Sequence, residues 1–178
     1  NLANEYFNIT HPYGQWKDTG VRMEGDAVRS LTAAFLEMWN ASIRTENDED
    51  TALGAYFPTY EVEGNGFIQP YADSPLDDER VGEEVYLNMI HTATRYVHIM
   101  TPYLILEETL TRSLVEAKRR GVDVRVITPN IPDKKHVKWM TEYYYGELLK
   151  CGIRIYEYTP GFVHSKVVLE EHCAVVGT

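Results

Sequence analysis

From Tyr96 onward the sequence alternates between two periodicities, and this limits the fold more than any other feature. "YVHIMT" and "VDVRVITP" are short β-branched runs. In the second, Val122, Val124 and Val126 alternate with Asp123 and Arg125, the two-residue repeat of a strand. Between them "LEETLTRSLVEAKRRG" puts Leu106, Leu110 and Leu114 on one helical face, with Glu107 and Glu108 at its start, Lys118, Arg119 and Arg120 at its end, and Gly121 beyond. Acids first, bases last and a terminal glycine complement the helix dipole and stop the helix. "HVKWMTEYYYGELLKCG" predicts the next helix, with Val137, Met140, Tyr144 and Leu148 inward and Gly152 as its cap. The strands "IRIYEY", "VHSKVVL" and "CAVVGT" follow. Upstream, "GFIQPY" predicts a short strand and "DDERVGEEVYLNMIHTATR" a helix. Strands that alternate with helices pair side by side with the helices packed over them. The expected class is therefore α/β, with a mixed, mostly parallel sheet flanked by helices on both faces.

The 178 residues suit one domain or one and a fraction. Residues 1–45 form one block. "KDTGVRMEG" predicts a short strand and turn, and "DAVRSLTAAFLEMWN" a helix with Val28, Leu31, Phe35, Met38 and Trp39 at helical spacing and Asp26 at its start. Residues 46–66, acidic and then glycine-rich, are a linker by composition, and a second block occupies 67–178. The formal net charge is −10, which argues against the broad basic face of a nucleic-acid binder. Cys151 and Cys173 have no metal-site spacing, so a reduced compartment is the default. No apolar run approaches the length of a membrane span. The chain begins at Asn1 and stops inside an apolar strand, so it is expected to be a soluble piece of a longer protein.

The chemistry concentrates in "VHSKVVL". On a strand, residues two apart share a face, so His164 and Lys166 are expected to project together from a buried central strand, opposite Val163, Ser165 and Val167. Two polar side chains there need a polar cleft. Lysine supplies a fixed charge for phosphate oxygens. Imidazole can attack phosphorus or protonate a leaving alcohol near neutral pH. With lysine supplying the electrostatics, no metal or other cofactor is required.

In this setting "HSKVVL…AVVGT" resembles the HxKxxxxD…G[ST] signature of the phospholipase D superfamily. "YYYGELLKCGIRIYEYTPGFVHSKVVL" and "TPYLILEETLTRSLVEAKRRGVDVRVITPNIPD" resemble bacterial cardiolipin synthases at their second catalytic motif. "NLANEYFN…HPYGQWKDTGVRMEGDAVRSLTAAFLEMWN" resembles the stretch after the first. The resemblance implies a phospholipase D-like lobe at 67–178 and the end of a preceding lobe at 1–45. It implies two His-Lys pairs facing one cleft, one histidine forming a phospho-histidine and the other serving as acid and then base. The implied reaction moves a phosphatidyl group between two phosphatidylglycerols and releases glycerol. His164 takes the acid–base role and Lys166 binds phosphate. Glu170 or Glu171 holds the acidic position, and Thr178, Asn1 and Glu5 contact substrate; Tyr103 is expected at the cleft on separate grounds, because "TPY" follows a strand and strand-end loops of α/β sheets reach such clefts. Implied partners are anionic phospholipid and, through the parent protein, the cytoplasmic face of a bacterial membrane.

Two departures stand out. Only one His-Lys motif is present. The acidic position is also disturbed: five residues beyond Lys166 is Glu171, whereas seven before Gly177 is Glu170. The spacing is one residue short, through a slipped glutamate position or a residue missing from the record, and a polar hairpin turn is the competing reading of the pair. For the function, the competing readings are another phospholipase D-type phosphodiesterase and a silent lobe that binds lipid or a partner. Homodimerisation that completes the site is a further option. Tyr143, Tyr144 and Tyr145 are expected to pack rather than to touch lipid, and His11 and Trp16 to line the cleft rim.

Overall fold

The computed structural model describes residues 3–42, 53–57, 62–64, 66–73 and 78–177. Asn1, Thr178, the acidic run at 46–50 and most of the 46–66 linker lie outside them. The strands are β1 (Gln15–Lys17), β2 (Tyr96–Met100), β3 (Asp123–Pro129), β4 (Arg154–Tyr158), β5 (Gly161–Val163), β6 (Lys166–Glu170) and β7 (Ala174–Gly177). The helices are α1 (Ala27–Ser42), α2 (Val81–Thr92), α3 (Glu108–Arg119) and α4 (Lys135–Lys150). The chain divides into two compact units, residues 1–20 with 83–178, and residues 21–82.

In the first unit a five-stranded sheet runs β4-β3-β2-β6-β7. β2, β3 and β4 are parallel, linked through α3 and α4, while β6 and β7 are antiparallel additions. This is the mixed α/β sheet expected from the alternation. Val97, Val124, Val126, Val122, Leu114 and Leu148 form its core with Ile90 and Ala117. Each fully buried valine or leucine contributes roughly 1.5–3 kcal/mol. Leu106 and Leu110 pack on the same core. The end of α3 does further work: Arg120 Nη2 donates to the carbonyl of Ile90 at 2.7 Å, closing the end of α2.

Several expectations are corrected. Residues 66–71 form no strand; Phe67 is fully exposed and no neighbouring strand pairs with the segment. The strand expected within 17–25 ends at Lys17. On α4 one position of the inward stripe differs: Met140 is 46% exposed and Thr141 is buried instead, while Leu148 is buried as expected. Thr141 is inward because its Oγ1 accepts the backbone N–H of Leu104 at 3.2 Å. Tyr144 and Tyr145 pack against the core, and Tyr143 faces out at 75% exposure. "VHSKVVL" is two strands, since His164 and Ser165 leave the ladder between β5 and β6. β5 pairs with β1 in a separate two-stranded sheet, whereas β6 pairs with β2 and β7, so the chain must change sheets at the motif.

In the second unit α1 forms as expected, but it buries Leu36, whereas Leu31, Phe35, Met38 and Trp39 of the apolar face read from the sequence are exposed. Phe35 and Trp39 touch at 5.9 Å, and Arg29 lies 4.6 Å above the Phe57 ring.

Glu170 and Glu171 occupy the hairpin between β6 and β7. The Glu170 N–H donates to the Cys173 carbonyl at 2.9 Å, and its Oε2 accepts the His172 N–H at 2.9 Å. The Glu171 carboxylate accepts the Thr94 hydroxyl at 2.5 Å and the N–H groups of Thr94, Arg95 and Tyr96 at 2.6, 3.0 and 3.3 Å. It thus ties the hairpin to the start of β2. These bonds, the Thr94 hydroxyl foremost, lower its pKa from 4.5 to about 2. A depressed carboxylate pKa stabilises the fold fully above the unfolded value and is lost as pH falls through the folded one. Glu171→Gln is therefore expected to lower Tm at neutral pH and to flatten the loss of Tm between about pH 4.5 and 2. Superimposable melting curves across that range would contradict the clamp.

Candidate active site

The site is built where β1 meets β5. The two strands run parallel, pairing Gln15 with Gly161, Trp16 with Phe162 and Lys17 with Val163. Past the ladder, the His164 N–H donates to the Lys17 carbonyl at 2.8 Å. The Thr19 hydroxyl donates to Ser165 Oγ at 2.9 Å, and Ser165 Oγ donates to the Lys17 carbonyl at 3.2 Å. These bonds fix the two residues that left the ladder. The other edge of β1 is closed by Asn8, whose side chain accepts the Trp16 N–H at 2.8 Å and donates to the Trp16 carbonyl at 3.0 Å.

The register places Asp18 against His164, Oδ2 lying 3.3 Å from Nδ1. Lys166 Nζ lies 2.9 Å from Nδ1 and 3.0 Å from Nε2, and donates to the His164 carbonyl at 2.8 Å. An ammonium has no acceptor. Nζ is nearly equidistant from the two ring nitrogens and so lies over the ring face, in line with neither lone pair; an Nδ1–H donated to Asp18 would leave Nε2 the unprotonated nitrogen. Burial lowers the Lys166 pKa below that of an ordinary lysine, and the Asp18 charge opposes the shift. Tyr6, Trp16 and Phe162 wall the imidazole at centroid distances of 5.3, 5.8 and 6.0 Å. The result is an imidazole oriented by a carboxylate on one side, flanked by an ammonium and partly screened from water. It can exchange a proton at Nε2 while Lys166 turns to an anion.

The expected His164 and Lys166 do come together, but through a bend between two sheets and not through strand alternation. Glu170 and Glu171 are not brought to them. Glu170 lies four residues along β6 from Lys166, about 13 Å by strand rise; its carboxylate is engaged in the hairpin and that of Glu171 at the start of β2. Glu170, Glu171 and His172 lie within 4.8 Å of one another, but those same bonds leave this no more than an acidic turn. Glu5 sits in the short 3-10 helix Asn4–Phe7, beside Tyr6. Tyr103 follows β2, and its hydroxyl donates to Asp133 Oδ2 at 2.6 Å. Of the two residues assigned to the rim, His11 is exposed and Trp16 is a buried part of the wall. Asp18 is the residue sequence reasoning missed. Its only local signal is a carboxylate between a strand and a glycine in "QWKDTG".

Two glycines make the pairing achievable. A Cβ on Gly161 would lie 2.3 Å from the Gln15 carbonyl oxygen and 2.4 Å from its nitrogen. Gly14 has φ +78, and a Cβ there would lie 2.5 Å from the Pro160 oxygen. Backbone atoms cannot yield as a side-chain tip can, so Gly161→Ala is expected to cost about 1–3 kcal/mol. Gly20→Ala, with nothing within 4 Å of the added Cβ, should be nearly neutral. Equal denaturant midpoints for the two variants would contradict the close approach.

A family model described as "Cardiolipin synthase, PLD-like domain" matches residues 86–178. An uncharacterized protein of Streptococcus mutans serotype c is 48% identical over 179 residues, spanning 100% of this chain and 38% of that protein. The major cardiolipin synthase ClsA of Bacillus subtilis is 35% identical over 179 residues, spanning 100% of this chain and 37% of its own. The chain thus spans well under half the length of these relatives. Both alignments are one position longer than the 178-residue chain, which requires at least one gap in this sequence. The solved phospholipase D family member Nuc from Salmonella typhimurium aligns with 50% of this chain and 57% of its own, at 23% identity and a TM-score of 0.39. With a family model covering more than half of its residues, the chain belongs to the phospholipase D-like domain family of cardiolipin synthases.

Proposed function

We propose that this chain is the end of one lobe (1–45), a linker (46–66) and most of a second lobe (67–178) of a membrane-associated phosphatidyltransferase that makes cardiolipin. The observation that carries this reading is the Asp18–His164–Lys166 constellation. The compact unit that joins residues 1–20 to 83–178 supports a site to which both lobes contribute, since Asp18 comes from one and His164 from the other.

In this reading a histidine of the other lobe attacks the phosphorus of one phosphatidylglycerol. The new P–N bond forms as the P–O bond to glycerol breaks, and His164, entering this step as the doubly protonated imidazolium, delivers its Nε2 proton to the leaving glycerol oxygen. A hydroxyl of a second phosphatidylglycerol then returns a proton to His164 as its oxygen bonds phosphorus and the P–N bond breaks. Two phosphatidylglycerols enter; cardiolipin and glycerol leave. Asp18 holds the Nδ1–H and so keeps Nε2 aimed at the reacting oxygen, as an orienting carboxylate does for imidazole in hydrolases. Lys166 exchanges its contact with the ring for the phosphate oxygens. Asn1 and Thr178, outside the described residues, take substrate-contacting roles by resemblance only.

The test is cardiolipin formation from phosphatidylglycerol by the intact two-lobe protein. Removing a proton-transfer group costs about 10²–10⁴-fold, so His164→Ala is expected to lower kcat by that amount. Asp18→Asn, which spares the ring but loses its anchor, should lower kcat about 10–100-fold with little change in KM. The 178-residue chain alone, with one His-Lys pair, should form no cardiolipin. Turnover by the chain alone that His164→Ala abolishes would overturn the two-lobe reading.

A further inference from the structure

The surroundings of the site carry exposed apolar side chains that the proposed reaction does not use. β2 and β3 end at Met100 and Pro129, and the loops that follow them lead to Tyr103 and to the start of α4. Tyr103 lies beside Phe162, whose ring stacks on His164. These loops and the first turns of α4 are therefore at the same end of the sheet as the imidazole. Ile131, in the second loop, is exposed, and Trp139, on the second turn of α4, is 70% exposed. Tyr6 also packs against the imidazole, and the apolar residues that follow it, Phe7 and Ile9, are 63% and 68% exposed. A lone exposed apolar residue needs no explanation, but a group of them around one site marks a surface that meets a partner.

The charges beside them identify the partner. Lys17 on β1 and Lys134 and Lys135 at the start of α4 are exposed, and no carboxylate pairs with them among the described residues. Asp18 and Asp133 are held by His164 and by the Tyr103 hydroxyl; Glu5, beside Tyr6, stands against the lysines. The exposed charge around these apolar side chains is thus mainly basic, in a chain of net charge −10. Indole and other apolar groups flanked by lysines suit the headgroup region of an anionic bilayer, where the rings sit at the interface and the ammonium groups meet lipid phosphates. A second copy of the chain fits less well, because a symmetric contact would set the same lysines against each other. A bilayer also meets a need of the reaction. The lipid phosphate must reach Lys166 while the acyl chains stay in hydrocarbon, since every methylene drawn into water is costly.

We propose that the rim formed by Phe7, Ile9, Ile131 and Trp139 docks this chain directly on an anionic phospholipid bilayer, with Lys134 and Lys135 on lipid phosphates. The inference rests on the transferase reading for a lipid substrate at Lys166. It goes beyond that reading in giving this chain a membrane contact of its own, at named residues that take no part in the chemistry.

The test is sedimentation of the 178-residue chain with vesicles of phosphatidylglycerol or of phosphatidylcholine, which reads binding without turnover. The chain is expected to bind phosphatidylglycerol, and phosphatidylcholine about tenfold or more weakly. Trp139→Ala should weaken binding about tenfold. Lys134→Gln combined with Lys135→Gln should weaken it about 25-fold, at about fivefold for each lysine. Leu149→Ala, which removes a 53% exposed side chain from the far end of α4, should bind as the wild type does. In a Trp39→Phe background, lipid brominated on its acyl chains should quench Trp139. No binding by the wild type, equal binding to the two lipids, rim variants that bind as tightly as Leu149→Ala, or an unquenched Trp139 would overturn the proposal. So would a lipid-free dimer that Trp139→Ala disperses. Failure of the transferase reading would show separately, as a chain that docks in this way while the intact two-lobe protein makes no cardiolipin.

Discussion

Everything at the candidate site depends on one short parallel pairing, Gln15–Lys17 against Gly161–Val163. It joins segments almost 150 residues apart and spans only three residue pairs. Such a ladder is too short to be stable alone. Its support comes from Gly14 and Gly161, which let the backbones approach, from Asn8 on the outer edge of β1, and from the tilted contact of the Trp16 and Phe162 rings, centroids 4.8 Å apart. Once formed, it fixes three things together: the carboxylate beside the imidazole, the aromatic wall around it, and the change of sheet at His164.

That change of sheet explains the electrostatics. β5 is wholly buried, and Ser165 is fully enclosed. A polar pair in such surroundings is costly unless each group has a partner. His164 and Lys166 are satisfied by Asp18, by each other and by a backbone carbonyl. The arrangement is complete without substrate, yet the Lys166 contact to the ring is one that a phosphate can replace. Glu171 serves the same site from a distance, anchoring the β6–β7 hairpin to the start of β2 and so holding β6, and Lys166 with it, in register.

The regular part of the molecule was legible in the sequence because its information is local. The alternating valines of β3 and the leucine face of α3 each specify their element within a dozen residues, and the sheet order then follows from βα connections. What escaped was long-range. Nothing within "KDTG" announces that Asp18 pairs with His164, because that contact is set by the β1–β5 register. The strand read through "VHSKVVL" satisfied local alternation, but its two halves have different pairing partners, a fact carried by sheet order and not by residue type. The glutamate pair did leave a trace: the acidic position miscounted from its two ends by one residue, and that segment proves to be a tight hairpin whose carboxylates bind backbone N–H groups. On α4 only Met140 was misplaced, because Thr141, polar by composition, is turned inward to meet the Leu104 N–H.

The central claim is that Asp18 holds the Nδ1 proton of His164 and leaves Nε2 free to exchange a proton with the reacting oxygen. The most direct measurement is the pair of imidazole nitrogen-15 chemical shifts of His164, above its titration, in the wild type and in Asp18→Ala. The account expects the wild-type ring to be the Nδ1–H tautomer with an unprotonated Nε2, and the variant to lose that preference. A wild-type ring protonated at Nε2, or a tautomer indifferent to Asp18, would contradict it.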